Sequence, residues 1–174
     1  LTSLAHLTRL RLDHNQLVAV PEDMGSLEKL EELYLRVNQL AELPESFQYL
    51  VHLKLLDISQ NSFDTLGSVI GTLIKLQGLW AEDNNLTELP PEIGALSELH
   101  GIGMNNNKLK SLPPEMGQLK NLQELYLGNN QLTEIPPEME QCEKLGWISL
   151  VENPLSAEGK KKIDLYFPRC EIRF

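Results

Sequence analysis

Apolar residues return along this chain at a fixed interval. Leucine stands at positions 7, 30, 53, 76, 99, 122 and 145, every 23 residues, and the register never slips. Taking each of these as position 1 of a unit, position 4 is Leu10, Leu33, Leu56, Leu79, Ile102, Leu125 and Ile148. Position 9 is Asn15, Asn38, Asn61, Asn84, Asn107, Asn130 and Asn153. Self-similarity at such a period marks an array of equivalent structural units, each with an apolar face that only its neighbours can cover. Within a unit the period changes. Leu33-Tyr34-Leu35 and Leu125-Tyr126-Leu127 alternate with period two, the signature of a short strand buried on one face. The following segment abandons that alternation and carries Pro44, Pro90, Pro113 or Pro136, which cannot donate to a sheet ladder and so take the chain off the sheet. In "LPPEIG", "LPPEMG" and "IPPEME" proline pre-sets the backbone for a first helical turn, with Glu92, Glu115 and Glu138 near that turn's positive end. Each unit is therefore predicted to be a strand and a tight return.

The pattern LxxLxLxxNxLxxLPxxxGxLxx resembles the leucine-rich repeat family over nearly the whole chain. The resemblance implies an α/β fold: a right-handed solenoid bent into a horseshoe arc, with a parallel concave sheet and short helical turns or loops on the convex side. The 23-residue "LPPEIG" form is similar to the intracellular Ras-group class and to bacterial members. Three segments are expected: residues 1–6 as the end of a preceding repeat, 7–155 as seven repeats with the last partial, and 156–174 as a capping helix and tail. In the tail, Ile163, Tyr166 and Phe167 have helical spacing, and "FPRCEIRF" alternates Cys170, Ile172 and Phe174 like an edge strand. The asparagines read as structural, because an amide has donors and an acceptor to satisfy backbone where a strand turns a corner. The third unit departs, with Gly67 in the proline position and Phe63 in a leucine position.

Composition narrows the functional classes. A formal net charge of −10 argues against tracking nucleic-acid phosphates, and Lys160-Lys161-Lys162 reads as a solvated helix face. The apolar runs fall far short of the roughly 20 residues that cross a bilayer. Cys142 and Cys170 are too few for a disulfide framework and lack metal-ligand spacing, so a reducing setting is expected; the family resemblance implies the cytoplasm, since extracellular members usually carry cysteine-rich flanking caps. There is no HExxH pair and no GxxxxGK[ST] loop, and the glycine-rich "GIGMNN" at 101–106 falls in a strand and turn. Asn85-Leu86-Thr87 forms a sequon from residue types common at those repeat positions. We expect a non-enzymatic protein with no catalytic residues, metal, cofactor, small-molecule substrate, nucleic acid or membrane partner.

Positions 3, 5, 7 and 8 remain free to project from the concave sheet. Position 5 runs Arg11, Tyr34, Asp57, Trp80, Gly103, Tyr126, Ser149; position 3 runs Arg9, Glu32, Leu55, Gly78, Gly101, Glu124, Trp147. Aromatics on every second strand should recur at roughly 10 Å, above a floor left bare by Gly78, Gly101 and Gly103. From the third unit onward these columns hold Asp57, Glu82, Asp83, Glu124 and Glu152 and no Lys or Arg, whereas Arg9, Arg11 and Arg36 lie in the first two units. The candidate binding residues are Tyr34, Val37, Leu55, Asp57, Trp80, Glu82, Asp83, Gly103, Tyr126 and Trp147. Aromatics beside carboxylates suit a protein partner with a Lys- or Arg-bearing surface. The family resemblance implies a scaffold for protein–protein interaction, in intracellular signalling. The alternatives are the recognition arm of a larger enzyme (ubiquitin ligase, GTPase or kinase) or a bacterial surface or secreted binding protein.

Overall fold

The computed structural model describes residue 4 and residues 6–174, so the expected remnant of a preceding repeat at 1–6 falls mostly outside the described residues. Eight three-residue strands form one parallel sheet in chain order: β1 (Arg9–Arg11), β2 (Glu32–Tyr34), β3 (Leu55–Asp57), β4 (Gly78–Trp80), β5 (Gly101–Gly103), β6 (Glu124–Tyr126), β7 (Trp147–Ser149) and β8 (Glu171–Arg173). From β1 to β7 each pair is in register at the 23-residue interval, so equivalent positions of successive units lie side by side. The middle residue of each strand points inward, and from Leu33 to Ile148 all six are buried. Positions 3 and 5 point to the opposite side. The result is a solenoid arc with one continuous apolar core.

The return segments are five-residue 3-10 turns at Glu22–Ser26, Glu45–Tyr49, Ser68–Thr72, Pro91–Ala95, Pro114–Gln118 and Pro137–Gln141. Proline precedes five of them with φ between −64° and −70°, near the value its ring imposes. Before the third-unit turn, Gly67 takes φ +67°, a conformation closed to proline, yet the turn forms and buries Val69 and Ile70. Phe63 is fully buried in its leucine position. Turns stack closely because several carry glycine: a Cβ on Gly94 would lie 2.7 Å from the Glu115 carbonyl oxygen of the next turn.

The asparagines bind one unit to the next. Asn107 Nδ2 donates to Met104 O (3.2 Å) in its own turn and to Ala81 O (2.9 Å) in the preceding unit, while its Oδ1 accepts from Leu86 N (2.9 Å). The same three-way pattern holds at Asn38, Asn61, Asn84, Asn130 and Asn153. The residue before each asparagine is left-handed, with φ between +53° and +57°. At Val37 a β-branched side chain sits in that region, which costs about 1–2 kcal/mol.

Beyond the last asparagine, α1 (Ala157–Tyr166) begins at Ser156, whose Oγ accepts from Gly159 N at 3.0 Å. It buries Ile163, and Phe167 follows it into the core. The chain then adds β8 beside β7, with Ile172 opposite Ile148.

Candidate functional site

The in-register sheet turns two repeat positions into two rows of neighbouring side chains. One row reads Arg11, Tyr34, Asp57, Trp80, Gly103, Tyr126, Ser149, Arg173, and the other Arg9, Glu32, Leu55, Gly78, Gly101, Glu124, Trp147, Glu171. Arg173 and Glu171 enter through β8, which extends both rows by one residue. The tail's alternation, with Ile172 between them, carries the signal for this placement, yet the repeat columns alone miss it. The acidic stretch is thus bounded by arginine at both ends rather than at the first units only.

At the first end the side chains satisfy one another. Arg9 Nε and Nη2 donate to the two carboxylate oxygens of Glu32, each at 2.6 Å, and Tyr34 OH donates to Glu32 at 2.9 Å. These bonds, the one from Arg9 foremost, hold the Glu32 carboxyl below the ordinary glutamate range. The Arg11 guanidinium lies 4.3 Å from the Tyr34 ring centre. Tyr34 is therefore covered by its own chain and stands apart from the other aromatics.

Trp80, Tyr126 and Trp147 form a continuous strip. Ring centres are 6.3 Å apart for Trp80 and Tyr126 and 6.4 Å for Tyr126 and Trp147, with the planes tilted by 49° and 45°. The roughly 10 Å spacing expected for alternate strands is closed up because Gly103, between Trp80 and Tyr126, has no side chain to hold the rings apart. Nor is the glycine floor bare. A Cβ would stand 3.3 Å from Trp80 Nε1 at Gly78, 3.2 Å from Cη2 at Gly101 and 2.5 Å from Cε3 at Gly103. Three separate edges of the indole rest over three glycines, so the ring lies across the sheet and itself covers the floor. Leu55, half-buried, flanks Gly78 beside the Nε1 edge. Tyr126 OH donates to Glu124 (3.1 Å), and burial pushes the phenol pKa up. The Trp147 indole N–H is buried without a partner, and the Arg173 guanidinium sits 4.6 Å from its ring centre.

Beside Trp80 opens a cavity of about 340 Å³ lined by Arg36, Asp57, Ser59, Trp80, Glu82, Asp83, Asn105 and Asn106. Glu82 is half-buried there and accepts from Ser59 Oγ at 2.8 Å. Burial raises its pKa, with Asp57 and Asp83 adding to the rise and the serine bond opposing it. Asp57 Oδ1 accepts from Ser59 N (3.0 Å), and exposed Asp83 accepts from Asn106 Nδ2 (2.8 Å). Val37 is half-buried in the left-handed corner and does not line this cavity. Of the ten candidates, the structure brings Leu55, Asp57, Trp80, Glu82, Asp83, Gly103, Tyr126 and Trp147 into one neighbourhood. Tyr34 is engaged with Arg11 and Glu32. Arg36, Ser59, Asn105 and Asn106 also line the cavity and lie outside the candidate set, since their side chains count only once the cavity is known. Among the described residues no group of three or more His, Cys, Asp or Glu is placed to hold a metal ion, and no helix is long and apolar enough to cross a membrane.

The leucine rich repeat family model matches residues 5–63 and 97–155. Among solved structures, the chain is similar to an LRR protein of Leptospira interrogans, at 29% identity and a TM-score of 0.44, covering 99% of this chain and 62% of that one. It is also similar to the LRR ectodomain of the Arabidopsis thaliana membrane receptor kinase GASSHO1/SCHENGEN3, solved in complex with CASPARIAN STRIP INTEGRITY FACTOR 2. That likeness has 34% identity and a TM-score of 0.75, covering 89% of this chain and 20% of that one. The chain spans less than two thirds of the length of either. No curated protein matches it.

Proposed function

The chain belongs to the leucine-rich repeat family, whose domains generally mediate protein–protein interaction, and on that premise we propose that it is a non-enzymatic binding scaffold that holds a partner protein on its inner sheet face. The observation that carries this reading is the strip of Trp80, Tyr126 and Trp147, aromatic surface held half-exposed on a sheet face. Tryptophan and tyrosine dominate interface hot spots, because a rigid ring loses little entropy on binding and buries a large area. The carboxylates of Asp57, Glu82, Asp83 and Glu124 beside the strip favour a partner whose contact surface bears Lys or Arg. The ligand-bound plant ectodomain supports a peptide or protein as the class of partner.

The setting we infer is intracellular signalling in the cytoplasm. Supporting it are the 23-residue units, akin to the Ras-group class, and the two unbridged thiols, Cys142 buried and Cys170 pushed up to about 11 by burial and so inert. A second reading makes the array the recognition arm of a longer protein, as the plant ectodomain is part of a receptor kinase; the same face would then serve a different assembly. The test of the binding face is a titration with a cross-linked and identified partner. Trp80→Ala and Trp147→Ala should each weaken the complex by about tenfold or more, or at least about 1.4 kcal/mol, with the far-ultraviolet circular dichroism unchanged. Unchanged affinity in both variants would place the interface elsewhere.

A further inference from the structure

We propose that the centre of the sheet face is a seat for one arginine side chain of the partner, with its guanidinium laid on the open face of Trp80 and its N–H groups donated to the carboxylates of Glu82 and Asp57. This rests on the sheet face being the recognition surface and specifies the chemistry at its middle.

The protein makes the same contact twice with its own residues. Arg11 lies 4.3 Å over Tyr34, and Arg173 lies 4.6 Å over Trp147. In each case a guanidinium from an adjacent strand covers an aromatic ring of the next. Trp80 occupies the same row as Tyr34, but its row neighbours are Asp57 and Gly103, and neither supplies a cation. The pattern of aromatic plus guanidinium is complete at both ends of the face and incomplete in the middle.

The middle is also shaped and charged for the missing group. With one face of the indole seated on Gly78, Gly101 and Gly103, its other face is turned to the concavity. The adjoining cavity of about 340 Å³ carries three carboxylates, Asp57, Glu82 and Asp83, against the single cation Arg36. Among the described residues neither Glu82 nor Arg36 makes an ion pair, although Glu32 at the first end is fully paired by Arg9. A carboxylate drawn partly out of water without a cation is destabilised, and an incoming cation relieves it. Planarity selects arginine over lysine, because a guanidinium can stack on the ring while its edge forks onto two acceptors, whereas an ammonium is a point charge. The one lysine–ring contact among the described residues, Lys160 over Phe174 at 5.2 Å, is longer and lies at the cap.

The probe is N-acetyl-arginine methylamide, titrated into the nitrogen-15-labelled protein while the two tryptophan indole N–H signals are followed. Trp147→Phe assigns the Trp80 signal. The arginine probe should shift the Trp80 signal saturably with a Kd in the low millimolar range, on the order of a single side chain's affinity. The citrulline analogue, equal in shape but uncharged, should give no saturable shift, and the lysine analogue should bind several-fold more weakly. Glu82→Gln should weaken the arginine probe about tenfold, and Arg36→Ala should bind it at least as tightly as the parent. No saturation below about 50 mM, equal binding of citrulline, or indifference to Glu82→Gln would overturn the seat. If the partner loses affinity on Trp80→Ala while the arginine probe fails, the seat is wrong and the binding face stands. A probe that binds at Trp80 alongside a partner indifferent to both Trp80→Ala and Trp147→Ala would show a site for arginine but remove the binding face, and the assignment of the seat to the partner's arginine would fall with it.

Discussion

Trp80 owes its posture to residues without side chains. Gly78, Gly101 and Gly103 let the indole lie down on the sheet, and Gly103 also makes room for the Glu82 carboxylate. Glu82 then sets stability against the proposed binding role at one residue. Its pKa is raised by burial first, against the Ser59 hydrogen bond, with Asp57 and Asp83 facing it and Arg36 on the same cavity wall. An acid whose folded pKa lies above its unfolded one costs nothing when protonated in both states. The cost grows as pH rises from the unfolded value and is complete above the folded value. Glu82→Gln, which keeps the serine bond, should therefore match the parent's urea midpoint near pH 3.5 and exceed it near pH 7, because only the parent bears the buried charge. Equal midpoints at both pH values would contradict the burial of this carboxylate. The row that holds Trp80 was legible in the sequence because register fixed it. The direction of its ring was not, since that depends on what three neighbours lack.

At the scale of the repeat unit, the strand and the tight return were both written in the sequence. Period-two leucines set the first, and the proline with its ready-made φ set the second. Asparagine at position 9 was also legible as structural, but its reach across units needed coordinates. Its amide spans three backbone groups in two units, so each unit closes the corner of the one before it. Asn15 stands at the first described unit, is exposed, and its side-chain amide bonds only within its own turn, to Leu12 O and Asp13 O. Asn107→Ala leaves buried groups unpaired in two units and should cost about 3 kcal/mol in chemical denaturation. Asn15→Ala should cost about 1 kcal/mol or less, as its partners can turn to water. Similar losses at the two sites would show that the cross-unit bonds contribute little. Gly67 marks the limit of motif reading here: losing the proline leaves the turn in place, because glycine reaches it from the opposite sign of φ and Val69 and Ile70 anchor it by burial.

At the scale of the whole molecule, stacking in register converts sequence columns into a surface with a pattern of its own. Arginine flanks it at both ends, carboxylates fill its middle, and an aromatic strip crosses strands β4 to β7. The acidic middle could be read from the columns, because every unit contributes the same positions. The second arginine could not, because Arg173 lies outside the 23-residue register and joins the row only through the pairing of β8 with β7. On the proposed reading, the net charge of −10 and the acidic middle would act together to draw a basic partner toward the inner face, with the half-exposed aromatics left to hold it. The most direct test selects twelve-residue peptides on the parent protein by display and measures the affinity of the tightest for Trp80→Ala and Tyr49→Ala side by side. Tyr49 is an exposed aromatic on a return turn, 58% accessible and off the sheet. The inner-face account predicts a loss of about tenfold or more for Trp80→Ala and none for Tyr49→Ala; a loss confined to Tyr49→Ala, with Trp80→Ala unchanged, would contradict it.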